Sequence, residues 1–367
     1  MKYEYLFSGL SSLEVEHKLG HIIDSALASK YGECPDELIL KRIEEEWAAM
    51  DRTGVICDVA ALYELADWLK KSRHPYWVRG CSGSSFILYL LGVTTGNPLP
   101  PHYYCPTCKT VQWQPAYTDG FDLPQDMRCT KDNVPFFSDG HDISWQVLFG
   151  FGDFRPVFDV DLPSDLYEDF RSQWDNHWLK DIDQKNMPNN PYEGKRQCIK
   201  LSQLSLMFHL EREKISSAFY DHNYTSRDRD FFLWEWGLSI DHDMELSNTI
   251  PEPDRVADLI SLYGLSHSTG VWDETAMYMV DEMGYFPSDM IVYRDDVYNY
   301  LMEHGFLGKD AWRGMNDVCK GKGLPVVTTE MRKARDKWVL SRCEKIEYLF
   351  PKAHAIEDMF FTMRFIF

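Results

Sequence analysis

Apolar residues recur at helical spacing through the N-terminal part of the chain. Ser11 precedes apolar residues at positions 13, 15, 19, 22 and 23, and Gly32 follows them as a stop signal. A second helix is predicted to open at Pro35 and to continue through apolar residues at 39, 43 and 47. A third helix follows, with Asp58 as its N-cap and apolar residues at 62, 65 and 69. These patterns predict a small helical layer.

A loop of small residues interrupts this pattern at 79–85 and leads into the apolar segment 86–91. Such a loop before a helix exposes several backbone N–H groups and can hold a phosphate. The same residues are also typical of a capped turn before a core helix, and the pattern leaves both interpretations open. From 97 to 152 the chain is rich in Pro, Gly, Cys and aromatic residues, which predicts a loop-rich insertion.

Two carboxylates alternate with apolar residues in the segment 157–162. In an extended strand Asp159 and Asp161 would share one face, about 6.5–7 Å apart along the chain. Carboxylates so placed repel each other unless a cation lies between them. A divalent metal, or the metal pair of phosphoryl transfer, explains the pattern, and a solvent-facing strand is the alternative.

Three thiols and one carboxylate have the spacing of a zinc site. The candidate ligands are Cys105, Cys108, Cys129 and Asp132. Zinc accepts a carboxylate, and His102 or His141 could also complete the tetrahedron. The alternative is a degenerate knuckle that its aromatic residues hold together.

Composition narrows the classes of protein. The 367 residues include 38 Lys and Arg against 58 Asp and Glu, a net charge of −20, which argues against broad adhesion to nucleic acid or anionic membrane. A local basic groove remains compatible with that charge. The 9 cysteines are odd in number and scattered, so a disulfide framework is not expected. With no secretory signal and no apolar run of about 18 residues, the sequence predicts a cytoplasmic protein without a membrane span.

Several multi-residue motifs occur in one order between residues 77 and 162. They read WVRGCSGSSF at 77–86, GNPLPPHYYCPTC at 96–108, GFDLP at 120–124, DGHDI at 139–143, FGF at 149–151 and DVDL at 159–162. In this order they resemble the palm of the PolC-type replicative DNA polymerase (DNA polymerase III alpha subunit) of low-GC Gram-positive bacteria. That palm carries a Gly-Ser nucleotide loop, a four-cysteine zinc site and a metal-binding Asp-x-Asp strand.

A second block resembles the fingers of the same family. Its motifs are GLSH at 264–267, VW at 271–272, RDD at 294–296, YL at 300–301, KGKGL at 320–324 and FPKAHA at 350–355. The resemblance covers roughly 30–170 and 251–367. It implies an α+β fold: a nucleotidyltransferase-like (polymerase beta-like) palm with a loop-rich, zinc-knuckle-like insertion and a helical fingers-like lobe.

The expected domains follow from these blocks. Residues 1–76 form the N-terminal helical part of the palm, and 77–170 form the palm core, with the knuckle insertion at about 97–148. Residues 171–250 form a divergent connecting region, which stands where the family has a longer palm and thumb portion. Residues 251–367 form the fingers-like helical domain.

The resemblance also implies roles for individual residues. Asp159 and Asp161 would hold catalytic magnesium, with Asp241 as the local candidate for a third carboxylate. The candidate contacts to the nucleotide are Gly83, Ser84, Ser85, Lys320, Lys322, Lys352 and His354. The implied partners are DNA, a nucleoside triphosphate and a replisome protein. The implied cofactors are magnesium and zinc, and no membrane partner is expected.

Departures from the family pattern predict a weakened or lost activity. The chain is shorter than such a polymerase, and it lacks counterparts of the PHP, proofreading and C-terminal template-binding regions. Pro163 stands where the family has Asn after the Asp-x-Asp, and Cys319 replaces an Arg. Asp358 stands where the family has an aromatic residue, with Glu357 beside it, and acids there would repel a triphosphate. The sequence therefore leaves two functions open: a DNA polymerase remnant that transfers nucleotides, and a non-catalytic polymerase-like protein or decoy that binds a replisome partner or DNA.

Overall fold

The described part of the chain combines helices with short strands. The computed structural model describes residues 3–71, 76–152, 155–161, 255–271, 284–324 and 337–366. The helices are α1 Ser12–Tyr31, α2 Glu37–Thr53, α3 Ile56–Lys71, α4 Phe86–Leu90, α5 Gln146–Phe149, α6 Val256–His267, α7 Arg294–Glu303, α8 Gly308–Val318, α9 Lys337–Lys345 and α10 Lys352–Ile366. The strands are β1 Trp77–Arg79, β2 His102–Tyr104, β3 Val111–Trp113, β4 Phe137–Asp139 and β5 Asp159–Asp161.

Helix α1 has the ends that its sequence predicts. The Ser11 hydroxyl accepts from the Glu14 backbone N–H at 3.4 Å, and the Glu14 carboxylate accepts from the Ser11 N–H at 2.8 Å. This capping box satisfies two backbone donors at the first turn. Gly32, at φ 84°, ends the helix in a conformation that favours glycine. Leu13 is 61% exposed, so the buried face is narrower than its apolar pattern suggests.

The second and third helices begin at residues other than those predicted. Asp36 caps α2 through its contact with the Leu38 N–H at 3.0 Å, one residue after the predicted opening at Pro35. The prediction that Asp58 caps α3 is wrong because the helix has already begun at Ile56. The Asp58 carboxylate instead accepts from Arg155 at 2.5 Å, a partner that lies far along the chain.

The strands form two antiparallel sheets. In the first, β1 pairs with β5, with Arg79 opposite Asp159 and Trp77 opposite Asp161. The second has the order β3-β2-β4 and belongs to the predicted insertion. Together with the helices, these sheets give the mixed architecture of the predicted α+β class.

The described residues contain two large apolar cores. One joins helices α1 to α5 with the buried Val78 of β1. The other joins α6 to α10 and takes in Phe121, Ile143 and Val147 from the N-terminal half. Burial of apolar surface at about 25 cal/mol per Å² makes this shared core the main attraction between the two halves. Within the described residues, no helix has the length and apolar character needed to cross a membrane.

Candidate functional site

The β1–β5 pair brings a cation opposite the first aspartate of the Asp-x-Asp segment. Arg79 is the cross-strand partner of Asp159, and Trp77 is that of Asp161. The prediction that 159–161 is a strand is therefore confirmed at the level of the backbone. The side chains of Asp159 and Asp161, and all of Asp241, lie outside the described part of the chain.

The small-residue loop forms a tight 3₁₀ turn at Ser82–Ser84. The Ser84 N–H donates to the Cys81 carbonyl at 2.9 Å and closes the turn. The Ser82 and Ser84 hydroxyls are fully buried, and among the described residues neither has a hydrogen-bond partner. A buried hydroxyl without a partner costs about 1–3 kcal/mol, so the turn offers two donors to a polar ligand or to water.

Ser85 has a structural role at this turn. Its hydroxyl accepts from the Leu88 N–H at 3.2 Å and donates to the Glu46 carboxylate at 2.8 Å. Ser85 is the N-cap of α4, so the capped-turn interpretation of the loop applies to this residue. Its hydroxyl therefore supports the turn from behind.

Glu46 and Arg42 of α2 hold the turn in place. The buried Glu46 carboxylate accepts from the Phe86 N–H at 2.9 Å and from the Ile87 N–H at 3.1 Å. Arg42 Nε donates to the same carboxylate at 2.5 Å, and Arg42 Nη2 donates to the Ser84 carbonyl at 2.7 Å. The turn is thereby attached to α2 through charge-assisted hydrogen bonds.

Helix α10 packs directly against Gly83. A Cβ at this position would lie 3.2 Å from the Ala353 carbonyl oxygen and 3.2 Å from Glu357 Cγ, so glycine permits the close approach. The buried Glu357 carboxylate accepts from the Thr95 N–H at 2.9 Å and from the Gly96 N–H at 2.7 Å. Glu357 therefore joins α10 to the loop after α4, and the backbone N–H groups of that loop stabilise its negative charge.

His354 connects α10 to β1. Arg79 Nε donates to His354 Nε2 at 3.2 Å, and Asp358 Oδ2 lies 3.5 Å from the same nitrogen. The Tyr263 hydroxyl donates to Asp358, and the Phe350 ring stacks on His354 at 4.5 Å. Burial, followed by the Asp358 charge, raises the pKa of Tyr263 well above its usual range, so Tyr263 remains a donor. His354 Nε2 accepts from Arg79 when it carries no proton and donates to Asp358 when it carries one, so the two bonds exclude each other.

The three predicted lysines divide into two groups. The Lys352 N–H donates to Asp295 at 3.4 Å, and its ammonium donates to the Asp142 carbonyl at 3.5 Å, at the start of α10. Lys320 and Lys322 are exposed on the turn after α8, where Lys322 lies 3.4 Å from Asp317. Within the described residues, no hydrogen bond or ion pair joins these two lysines to the Ser82–Ser84 turn or to α10.

Three arginines at the site were absent from the predicted set. Arg79 stands directly before the small-residue loop, a signal that the sequence contains. Arg42 and Arg294 act across long distances along the chain. Arg294 donates to the Leu349 carbonyl at 2.8 Å and approaches Cys81 Sγ at 3.8 Å, contacts that no local pattern indicates.

The four predicted zinc ligands lie together. One ligand atom from each of Cys105, Cys108, Cys129 and Asp132 lies within 4.8 Å of the others. Cys105 Sγ donates to Asp132 Oδ2 at 3.2 Å, and Cys108 Sγ lies 3.6 Å from Cys129 Sγ. Hydrogen bonds from the Cys108 and Cys105 thiols lower the pKa of Asp132. Three sulfurs and one carboxylate suit a tetrahedral divalent metal.

Two similar turns deliver these ligands. Lys109, at φ 62°, follows the first pair, and its N–H donates to the Cys105 carbonyl at 3.0 Å. Asn133, at φ 54°, follows the second pair, and its N–H donates to the Cys129 carbonyl at 2.8 Å. The two turns each bring two ligand side chains to the cluster. Asp132 occupies the position in the second turn that Cys108 occupies in the first, and so provides the fourth ligand.

The two histidines considered as alternative ligands lie elsewhere. His102 Nδ1 donates to the Pro100 carbonyl at 2.7 Å, and its other nitrogen lies 3.5 Å from the Tyr31 hydroxyl. His141 Nδ1 lies 2.7 Å from the buried Asp119 carboxylate. Neither histidine belongs to the group of ligand atoms at Cys105, Cys108, Cys129 and Asp132, so the suggestion that either completes the tetrahedron is wrong.

Comparison with known proteins identifies the relatives of this chain. A polymerase of Thermotoga petrophila named DNA polymerase III PolC-type is 28% identical over 439 residues, covering 89% of this chain and 32% of that protein. The proteins of the same name from Clostridium perfringens and Bacillus cereus are 23% and 25% identical, over 95% and 92% of this chain. The chain is similar to PolC-type DNA polymerase III over about nine tenths of its length. No family model matches it.

The matched region of PolC is larger than this chain. The chain spans about a third of the length of these curated relatives, 32% in the Thermotoga petrophila protein. The alignment with that PolC runs over 439 residues while taking in 89% of the 367 residues here. PolC therefore contains additional residues within the matched region.

Proposed function

We propose that the chain is a polymerase core of the PolC type, related to DNA replication, that transfers a nucleotide to a primer end. The observation that supports this most strongly is the pairing of β1 with β5, which sets Arg79 opposite Asp159 and, through His354, beside α10. The turn follows β1 directly, and its Gly83 packs against the first part of α10, which supports a site shared by these elements.

In this proposal the carboxylates hold magnesium and the turn holds the triphosphate. Asp159 and Asp161, with Asp241 as third carboxylate, supply the hard oxygen ligands that magnesium prefers. When bound, the divalent ions activate the primer 3′-hydroxyl and neutralise the leaving pyrophosphate. The Ser84 hydroxyl and the Gly83 backbone N–H would contact the phosphates. The new bond forms between the 3′-oxygen and the α-phosphorus, and the bond to pyrophosphate breaks.

The remaining predicted residues contribute charge and position. Lys352 and His354 lie at the start of α10, near the turn, and would neutralise phosphate charge. Lys320 and Lys322 would act at the outer part of the site, toward the nucleotide or the DNA. Ser85 would act through the position of the turn, since its hydroxyl donates to Glu46.

The cluster at Cys105, Cys108, Cys129 and Asp132 is proposed to hold structural zinc. It lies in the insertion that carries the three-stranded sheet, and its ligands come from two turns that are held by their own backbone hydrogen bonds. A metal there would join the two turns of a small subdomain whose own apolar cluster is limited.

A primer-extension assay tests the proposed activity. The chain is incubated with a primed template, deoxynucleoside triphosphates and magnesium or manganese, and both extension and pyrophosphate release are measured. Metal-dependent incorporation that Asp159→Asn abolishes would support the proposal. Asp310→Asn, an exposed acid on α8 that pairs with Arg313, is the control and should leave incorporation unchanged.

A non-catalytic interaction protein or decoy is the second candidate. The observation that favours it is the acidic end of α10, where Asp358 lies 3.5 Å from His354, one of the proposed phosphate-binding cations. Absence of incorporation together with absence of magnesium binding in calorimetry would favour this candidate. Its partner would then be DNA or a replisome protein.

A further inference from the structure

We propose that Asp358 is a built-in counter-ion that competes with the phosphates of an incoming nucleotide for His354 and Arg79, and thereby limits nucleotide affinity. The inference rests on the proposed function, because it concerns the same site. It gives a specific role to a carboxylate that stands next to the nucleotide turn.

The first step is the arrangement of the charges. Asp358 Oδ2 lies 3.5 Å from His354 Nε2, and Arg79 Nε lies 3.2 Å from the same nitrogen. Arg79 belongs to β1, opposite Asp159, and His354 belongs to the first turn of α10, beside Gly83. The carboxylate therefore lies beside His354, which contacts Arg79, and these two side chains could contact a polyphosphate seated on the Ser82–Ser84 turn.

The second step is that Asp358 is held in this position. The Tyr263 hydroxyl donates to the same oxygen, Oδ2, from α6. The Asp358 side chain is 16% exposed and that of His354 is 8% exposed, so water screens the interaction weakly. A half-buried carboxylate that accepts a hydrogen bond keeps its place when an anion approaches.

The neighbouring acid, Glu357, has different partners from Asp358. Glu357 is buried, but the N–H groups of Thr95 and Gly96 bind its carboxylate. Asp358 Oδ2 instead lies 3.5 Å from His354 Nε2, the nitrogen that Arg79 contacts. Of these two adjacent acids, Asp358 is the one whose charge bears on cations of the proposed site.

A polyphosphate at the turn would need a partner that Asp358 already contacts, His354. Phosphate oxygens bind guanidinium and imidazolium groups through charge-assisted hydrogen bonds, the same bonds that a carboxylate uses. A polyphosphate at the turn must therefore displace the carboxylate as partner and must also approach a fixed negative charge. Neutralising Asp358 removes both costs, while an amide at this position still accepts from Tyr263.

The experiment compares the full chain with Asp358→Asn. Binding of inorganic tripolyphosphate and of a deoxynucleoside triphosphate, each with magnesium, is measured by calorimetry at low and high salt. Asp358→Asn is expected to bind both probes about tenfold more tightly at low salt, equivalent to about 1.4 kcal/mol. The gain should shrink at high salt, because screening weakens repulsion between charges. A purely structural effect of the substitution would not follow the salt concentration.

Asp310→Asn serves as the matched control, since it removes an equal charge from an exposed position on α8. Unchanged affinity in the control and tighter binding in Asp358→Asn support the inference, including the case in which only the variant binds. Equal or weaker binding by Asp358→Asn overturns the inference but leaves the proposed function standing. Absence of binding by wild type, variant and control alike overturns the inference and counts against the proposed function as well.

Discussion

Replacing Glu46 by alanine removes the carboxylate that four donors share behind the candidate nucleotide turn. Arg42 Nε, the Ser85 hydroxyl and the N–H groups of Phe86 and Ile87 all donate to it. The Glu46 side chain is 0% exposed and that of Arg42 is 13% exposed. The alanine variant therefore leaves a charge and three neutral donors in a site with little access to water.

The cost of this substitution follows from burial. Removing one partner of a buried ion pair costs about 3–5 kcal/mol, because the other charge is left without compensation. A domain is typically stable by about 5–15 kcal/mol, so the variant should lose a large part of its stability. Glu46→Gln keeps one acceptor oxygen and should lose less.

Urea unfolding followed by circular dichroism measures the effect. Glu44 lies exposed on the same helix, so Glu44→Ala is the control and should change the free energy of unfolding by less than about 0.5 kcal/mol. A loss below about 1 kcal/mol for Glu46→Ala, or a loss equal to that of the control, would refute the argument that this carboxylate supports the turn.

Three further predictions concern the metal, the pH response and α10. Elemental analysis should find one metal ion in the purified protein, absent from Cys129→Ser and present in the control Cys34→Ser, whose cysteine is exposed. An equal metal content in both variants would show that the cluster does not bind the ion. Burial raises the pKa of Asp295 to about 6 and that of Asp122 to about 7, so the native state binds these protons more tightly than the unfolded state. These two groups therefore contribute their full stabilisation below about pH 4 and lose it as the pH rises to about 7. Since Asp295→Asn has no such group to ionise, urea titrations should show its stability rising relative to wild type over pH 4 to 6. Parallel profiles would contradict this reasoning. Glu357→Ala should cost about 2 kcal/mol and speed hydrogen exchange of the amides it binds, and unchanged exchange would argue against its role at α10.

Local signals in the sequence predicted the elements that local contacts determine. The capping box of Ser11 and Glu14 lies within one turn, so the start of α1 could be predicted from a short segment. The Cys105 and Cys129 turns likewise depend on backbone hydrogen bonds over four residues, so their spacing indicated the cluster. In both features the interacting residues are only a few positions apart in the sequence, so a short segment was enough to predict them.

Contacts between distant residues decided the features that the sequence analysis missed. Asp58 looked like a helix cap, but its partner Arg155 lies on the approach to β5. Glu357 looked like an acid that faces a nucleotide, yet it binds the N–H groups of Thr95 and Gly96. Arg42 gave no sign of its contact with the Ser84 carbonyl. No short pattern reveals such partners, because the fold brings them together.

We propose that the β1–β5 pair, the Ser82–Ser84 turn and the start of α10 form one nucleotide site. This can be tested by a crystal structure of the full chain with magnesium and a non-hydrolysable deoxynucleoside triphosphate. We expect the phosphates to lie against the turn, within hydrogen-bond distance of Ser84, and Asp159 and Asp161 to bind the metal. A nucleotide bound elsewhere, or density for metal and phosphate absent from this site at saturating ligand, would contradict it.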